Sequence, residues 1–297
     1  MPASSGASAK LSPATLAGLG AILLWGLLAL LTAATAGVPP FLLTALTFAI
    51  GGGLGLLLVA IRGRLALLIQ RPAAWLIGVG GLFGYHAVYF AALKSAPPAE
   101  ASLIAYLWPL LIVLFSSLLP GERLSGRHVI GALLGFAGVI LLALGKISTG
   151  PGGIGGAANL PWLGYGLALA CAFIWAGYSV LSRLLAEVPT EAVVGFCLAT
   201  ALLAGVAHIA LEPAGLPTAP ATWAAIVALG LGPVGAAFFL WDIGMKRGDI
   251  RFLGTASYAA PVISTLALVA TSKAEAGWPL AIACAMIVGG AVIARSR

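Results

Sequence analysis

The chain has 297 residues, 61% hydrophobic and only 8% charged, with a mean hydropathy of +1.11. A soluble domain carries about 25% charged residues, so these proportions exclude a water-soluble protein and make lipid part of the solvent. The net charge of +7 points to no nucleic-acid partner, because the basic residues are accounted for by membrane topology.

Residues 1–15 are small and polar and read as a cytoplasmic tail without a packed structure. Ten apolar runs follow, at about 16–36, 41–61, 73–94, 99–119, 128–145, 162–185, 192–211, 222–245, 252–271 and 278–294. Each is close to the ~20 residues that cross a bilayer as a helix. The first run is preceded only by Lys10 and ends at Gly37-Val38-Pro39-Pro40 without a small-residue cleavage pattern, so it reads as an uncleaved helix. Residues 146–161 form a glycine-rich periplasmic linker between a first five-helix repeat at 16–145 and a second at 162–297. Cys171, Cys197 and Cys284 lie inside apolar runs without CxxC or Cys/His spacing, which points to small membrane-helix residues rather than a disulfide framework or metal site.

Basic residues set the orientation. With the amino terminus in the cytoplasm, the inner segments hold Lys10, Arg62, Arg64, Arg71, Arg123, Arg127, Arg183, Lys246, Arg247, Arg251, Arg295 and Arg297. The outer ones hold only Lys94, Lys146 and Lys273. Both termini are therefore expected in the cytoplasm.

The halves repeat. Trp25 aligns with Trp175 and Val38-Pro39 with Val188-Pro189 at an offset of 150. Further on the offset is 152, which pairs Lys94 with Lys246, Tyr106 with Tyr258 and Pro109 with Pro261. Five spans per half reverse the second half relative to the first, giving an inverted repeat. Pro109 and Pro261 interrupt helices four and nine at matching positions, since proline removes a backbone hydrogen bond and crowds the preceding turn. Paired interruptions in inverted halves point to a transporter with a midplane site.

Polar aromatics gather around these breaks. Helix three carries Tyr85, His86 and Tyr89, helix four Ser102, Tyr106 and Trp108, helix six Trp175, Tyr178 and Ser179, and helix nine Ser257 and Tyr258. Trp75, Trp162, Trp223 and Trp278 sit at run ends, where interfacial aromatics concentrate. The inner set suits a pocket that stacks and hydrogen-bonds a small amphipathic solute. His86 has two open readings, a neutral histidine bonded to a neighbouring helix and a contact for a substrate carboxylate or proton. Asp242 and Lys246 read as a solvated i,i+4 pair near the cytoplasmic end of helix eight. Gly80-x-x-x-Gly84, Gly131-x-x-x-Gly135 and Gly51-Gly52-Gly53 read as close-packing surfaces, with Gly230, Gly232, Pro233 and Gly235 as an additional hinge. A phosphate-binding loop of the Gly-x-x-x-x-Gly-Lys-Ser/Thr type is absent, so ATP hydrolysis by that route is excluded.

Ten helices in two inverted halves, a proline-broken helix four and the following Gly121-Glu122-Arg123 turn resemble the EamA-type branch of the drug/metabolite transporter superfamily. Within it, Tyr106-Leu107-Trp108-Pro109 is similar to the motif of bacterial aromatic amino acid exporters, and Tyr85, His86 and Tyr89 suit the same subgroup. The resemblance implies an all-α inner-membrane exporter with a central cavity between its halves, lined by Tyr85, His86, Tyr89, Tyr106, Trp108 and Trp175. Tyr178, Ser179 and Tyr258 complete the candidate substrate contacts, with Pro109 and Pro261 as the gating breaks. The expected substrates are amino acids, aromatic and other neutral ones first, moved by alternating access without a cofactor. The alternatives are a multidrug or quaternary-ammonium exporter, whose aromatic cage benefits from a carboxylate, and more distantly an intramembrane hydrolase using Ser102 or Ser179 with His86. A monomer is expected, with the oligomeric state left open.

Overall fold

The computed structural model describes residues 11–147, 161–271 and 277–295. The expected tail at 1–15 and linker at 146–161 lie largely outside them, as do Lys10, Lys273 and Arg297. Every regular element among the described residues is helical: α1 Pro13–Gly26, α2 Leu28–Ala33, α3 Pro40–Ile61, α4 Pro72–Ser95, α5 Pro98–Ala105, α6 Trp108–Ser116 and α7 Gly126–Ile147. After the linker come α8 Trp162–Leu184, α9 Ala192–Leu211, α10 Pro220–Leu231, α11 Ala237–Arg247, α12 Ile250–Ala256, α13 Ala259–Ala270 and α14 Trp278–Arg295. Seven continuous or bent helical segments are long and apolar enough to span a membrane, and shorter apolar helices at Glu100–Ser116, Gly126–Leu141 and Trp278–Ala294 supply the remaining three.

The ten runs thus become ten helical columns, and local chemistry explains their ends. Proline opens α1, α3, α4, α5 and α10 within the first two positions, where its missing N–H costs nothing. Ser12 caps α1 through the Thr15 N–H, and the Asp249 carboxylate caps α12 through the Phe252 N–H at 3.0 Å.

The packing carries the repeat. The first column (α1–α2) lies along the eighth through α1 and α11, and its counterpart pair, α8 against α4, packs more extensively still. The columns α3 and α9 pack together, as do α7 and α14, and the two interrupted columns meet through α6 and α12. Exchanging the halves maps each of these pairs onto itself or onto another of them, the arrangement a pseudo-two-fold axis generates.

Two interruptions precede the prolines as expected. Helix four breaks at Tyr106–Leu107, between α5 and α6, and helix nine at Ser257–Tyr258, between α12 and α13. Two more accompany them, one at Leu27 that was not anticipated and one in column eight, where Gly230, Gly232, Pro233 and Gly235 read as a hinge in the sequence. Column one breaks at Leu27, where Gly26 lies so close to Ile263 of α13 that an added Cβ would stand 2.7 Å from its Cβ. Column eight widens into a π-helical turn at Gly232–Ala236 around Pro233.

Glycine contacts follow the expected logic with two corrections. Gly131 meets the Gly290 carbonyl on α14, and Gly51 would place a Cβ 2.7 Å from the Gly230 carbonyl and from Gly235 Cα. Gly53 faces open space beside its two close-packed neighbours, and on α4 Gly80 also faces open space while Gly84 makes only ordinary contact. The close approaches on α4 belong to Gly78, beneath Phe196, and Gly81, beneath Tyr178. Because Gly51 presses on backbone that has no rotamer to change, Gly51→Ala is expected to lower stability by about 1–3 kcal/mol, measured as thermal unfolding in detergent. An unchanged midpoint would contradict that contact.

Candidate functional site

Four tryptophans from four columns come together. Trp25 of α1, Trp108 of α6, Trp175 of α8 and Trp241 of α11 bring their rings together. Trp25 lies 5.0 Å from Trp241, 5.6 Å from Trp175 and 6.3 Å from Trp108. Trp108 lies 5.9 Å from Trp241 and 6.2 Å from Trp175. Most of these contacts are edge-to-face, the arrangement that the ring quadrupole favours. Phe238 joins Trp25 and Trp175 and stacks on Phe48 at 5.3 Å.

The indole N–H groups divide. Trp25 donates to the Pro233 carbonyl at 3.1 Å, which ties column one to the π-helical turn. Trp241 donates to Ser179 Oγ at 3.1 Å. No hydrogen bond is recorded for the Trp108 and Trp175 N–H groups among the described residues, and neither is a fully enclosed unsatisfied atom. Two donors from facing halves are therefore free at the cluster.

Beside it stand the helix-three residues. Tyr85 tilts against Trp175 at 5.2 Å and stacks with Tyr89 at 5.8 Å. The Tyr89 hydroxyl pairs with Ser102 Oγ at 2.8 Å. His86 packs edge-on to Phe48 at 5.2 Å, and its Nδ1 lies 2.7 Å from the Leu82 carbonyl. A carbonyl only accepts, so Nδ1 carries the proton, and in the neutral ring Nε2 presents a lone pair. Its anchor is thus its own helix, not a neighbouring one.

The other sequence candidates divide. Tyr178 and Ser179 are buried and border the cluster, Tyr178 at 5.3 Å from the Trp175 ring and Ser179 as the acceptor of the Trp241 N–H, toward the end of α8 that carries Arg183. Tyr106 is half-buried and packs with Leu103 and Leu110 against a second apolar cluster around Tyr258, Val113 and Val262. Tyr258 is fully enclosed in that cluster and makes no ring contact with the tryptophans. Trp241, Phe238 and Phe48 were not anticipated. The offset of 152 sets Trp241 opposite Tyr89, and that alignment was the signal that could have found it.

The cluster is sealed on one side. Toward the arginine-bearing end lie the enclosed Trp241, Met245, Leu253 and Ile22, while Tyr85, His86, Tyr89 and Tyr106 on the opposite side remain partly exposed. Charge closes the sealed end. Glu122, after α6, pairs with Arg183 at 3.1 Å and Arg251 at 3.4 Å, both from the second half. Arg183 also donates to the carbonyls of Met245 and Gly248, and Arg251 to that of Arg123. Lys246 and Asp242, expected to be solvated, are instead buried at 2.8 Å, with Thr190 donating to Asp242 and Lys246 donating to the Val188 carbonyl. The α8–α9 connection, folded back over column eight, is what removes them from water.

A family model described as "EamA-like transporter family" matches residues 12–144 and 162–296, one copy for each half. A protein named aromatic amino acid exporter YddG from Ancylobacter novellus is 59% identical over 285 residues, covering 95% of this chain and 97% of that protein. The proteins of that name from Salmonella typhimurium and Escherichia coli are 29% and 27% identical, covering 85% and 94% of this chain and 86% and 96% of theirs. A solved crystal structure superposes with a TM-score of 0.91 at 58% identity, covering 96% of this chain and 97% of that one.

Proposed function

The chain belongs to the EamA-like transporter family, and from that premise we propose that it exports aromatic and other neutral amino acids across a bacterial inner membrane. The observation that carries this reading is the four-tryptophan cluster, built from both halves and flanked by Tyr85 and His86. Its ring faces suit an aromatic or aliphatic side chain. The free Trp108 and Trp175 N–H groups suit a carboxylate, and His86 Nε2 suits an ammonium group. An amino acid is the solute that needs all three.

With both termini in the cytoplasm, the sealed end is the cytoplasmic one, and this conformation is open toward the outside. Transport then requires the Glu122 contacts to part while the halves rock about the breaks before Pro109 and Pro261. The cycle rearranges binding surfaces and makes no covalent bond. It needs no ATP and no resident cofactor, and a monomer contains the whole site.

A quaternary-ammonium exporter is less well supported. Its cage would gain from a carboxylate, and Asp242 on α11 is held by Lys246 and Thr190 on the sealed side. Uptake of labelled phenylalanine into proteoliposomes should be competed by tyrosine and tryptophan and not by tetraphenylphosphonium. Competition by the cation alone would favour the drug reading instead.

A further inference from the structure

The two helix breaks touch each other. Tyr258 caps the start of α13 in the second half, and its hydroxyl accepts the Leu110 N–H, in the first turn of α6, at 3.1 Å. A helical Leu110 would donate to the Tyr106 carbonyl four residues back, but the turn at 106–107 takes that partner away. The phenol from the opposite half supplies the missing acceptor, so a partly buried amide is not left unmet.

The phenol is also pinned. Gly135 of α7 makes room for it, since a Cβ there would stand 2.6 Å from the Tyr258 ring. Phe136 packs at 6.0 Å, and Val113, Val262 and Ile287 close the remaining sides. The aligned Tyr106 does not reciprocate, for its hydroxyl makes no recorded hydrogen bond among the described residues. A pair matched in sequence is therefore split in use, one tyrosine half-exposed and the other consumed by the frame.

We infer that Tyr258 is a positioning residue for substrate selection: it ties the first turn of α6, and with it the Trp108 indole two residues before Leu110, to the break in the second half. This rests on the transport reading above. A shift at the α12–α13 break is passed directly to Trp108, so gating and the shape of the site move together without Tyr258 touching the substrate.

Tyr258→Phe removes only the hydroxyl. Hydrogen exchange of peptides spanning residues 106–116 should accelerate about five- to tenfold at the Leu110 amide, as expected for the loss of one hydrogen bond. The matched Tyr106→Phe should leave that amide unchanged. In proteoliposomes, Tyr258→Phe should lower the preference for phenylalanine over leucine, measured as the ratio of Vmax/KM values, by about fivefold. In a Trp108→Ala background the same change should lower it no further. Unchanged exchange, equal acceleration by both phenylalanine variants, or losses that are uniform across substrates and additive with Trp108→Ala would overturn the assignment. If wild-type vesicles take up no amino acid, the transport reading fails, and the exchange result alone decides whether the two breaks are linked.

Discussion

Asp242→Ala is expected to destabilise the protein by about 3–5 kcal/mol, because it strands a buried ammonium. The side chains of Asp242 and Lys246 are each only 4% exposed, with their charged atoms 2.8 Å apart. The Thr190 hydroxyl and the Val188 carbonyl complete the set at 2.7 and 2.8 Å. Without the carboxylate, Lys246 keeps one carbonyl partner and no counter-charge. Replacing both residues together, as Asp242→Leu with Lys246→Met, should recover most of the loss, since an apolar pair of similar volume needs no charge compensation. Thermal unfolding in detergent measures both. An alanine variant as stable as the wild type would mean that the pair is reached by water.

Trp108→Ala is the second large effect, and it falls on transport as well as on stability, since cutting a core tryptophan to alanine costs about 3–5 kcal/mol. The indole offers an aromatic face worth about 0.5–1.5 kcal/mol and a free N–H worth a similar ~0.5–1.5 kcal/mol. Their combined loss corresponds to a rise in KM for phenylalanine of about five- to 150-fold. Leucine, which uses less of the ring face, should suffer less. Trp108 packs against Trp25, Trp175 and Trp241, so alanine leaves a cavity lined by three indoles, and thermal unfolding in detergent checks that the variant is folded when its KM is measured. Equal KM changes for both substrates would remove Trp108 from substrate choice.

Much of this architecture is legible in the sequence because hydropathy and proline act locally. The ten columns lie within a few residues of the ten apolar runs, and the breaks of helices four and nine fall just before Pro109 and Pro261. What was not legible depends on partners. The break at Leu27 has no proline and arises where Gly26 meets Ile263 across the interface. Four-residue glycine spacing marks a face of α4 but not its neighbour, so Gly80 and Gly84 stood out although Gly78 and Gly81 make the close contacts. Asp242 and Lys246 look solvated from an i,i+4 spacing alone, and only the returning segment at Val188–Thr190 reveals their burial.

The site shows the same division. Aromatic residues deep in apolar runs were visible, and Tyr85, His86, Tyr89, Trp108 and Trp175 converge in space. Trp241 was hidden because its own neighbourhood, Leu240-Trp241-Asp242, reads as the end of a span. Tyr258 was visible as the partner of Tyr106, but a sequence match cannot distinguish a hydroxyl that faces a solute from one that holds a backbone amide.

The central claim, that this pocket moves amino acids without ATP, is tested most directly by uptake of labelled phenylalanine into vesicles containing only the purified protein, with and without a proton gradient. Saturable uptake is expected in ATP-free buffer, competed by tyrosine and tryptophan and abolished when Trp108→Ala and Tyr85→Ala are combined. Uptake that does not saturate, or that is unchanged in the double variant, would contradict it.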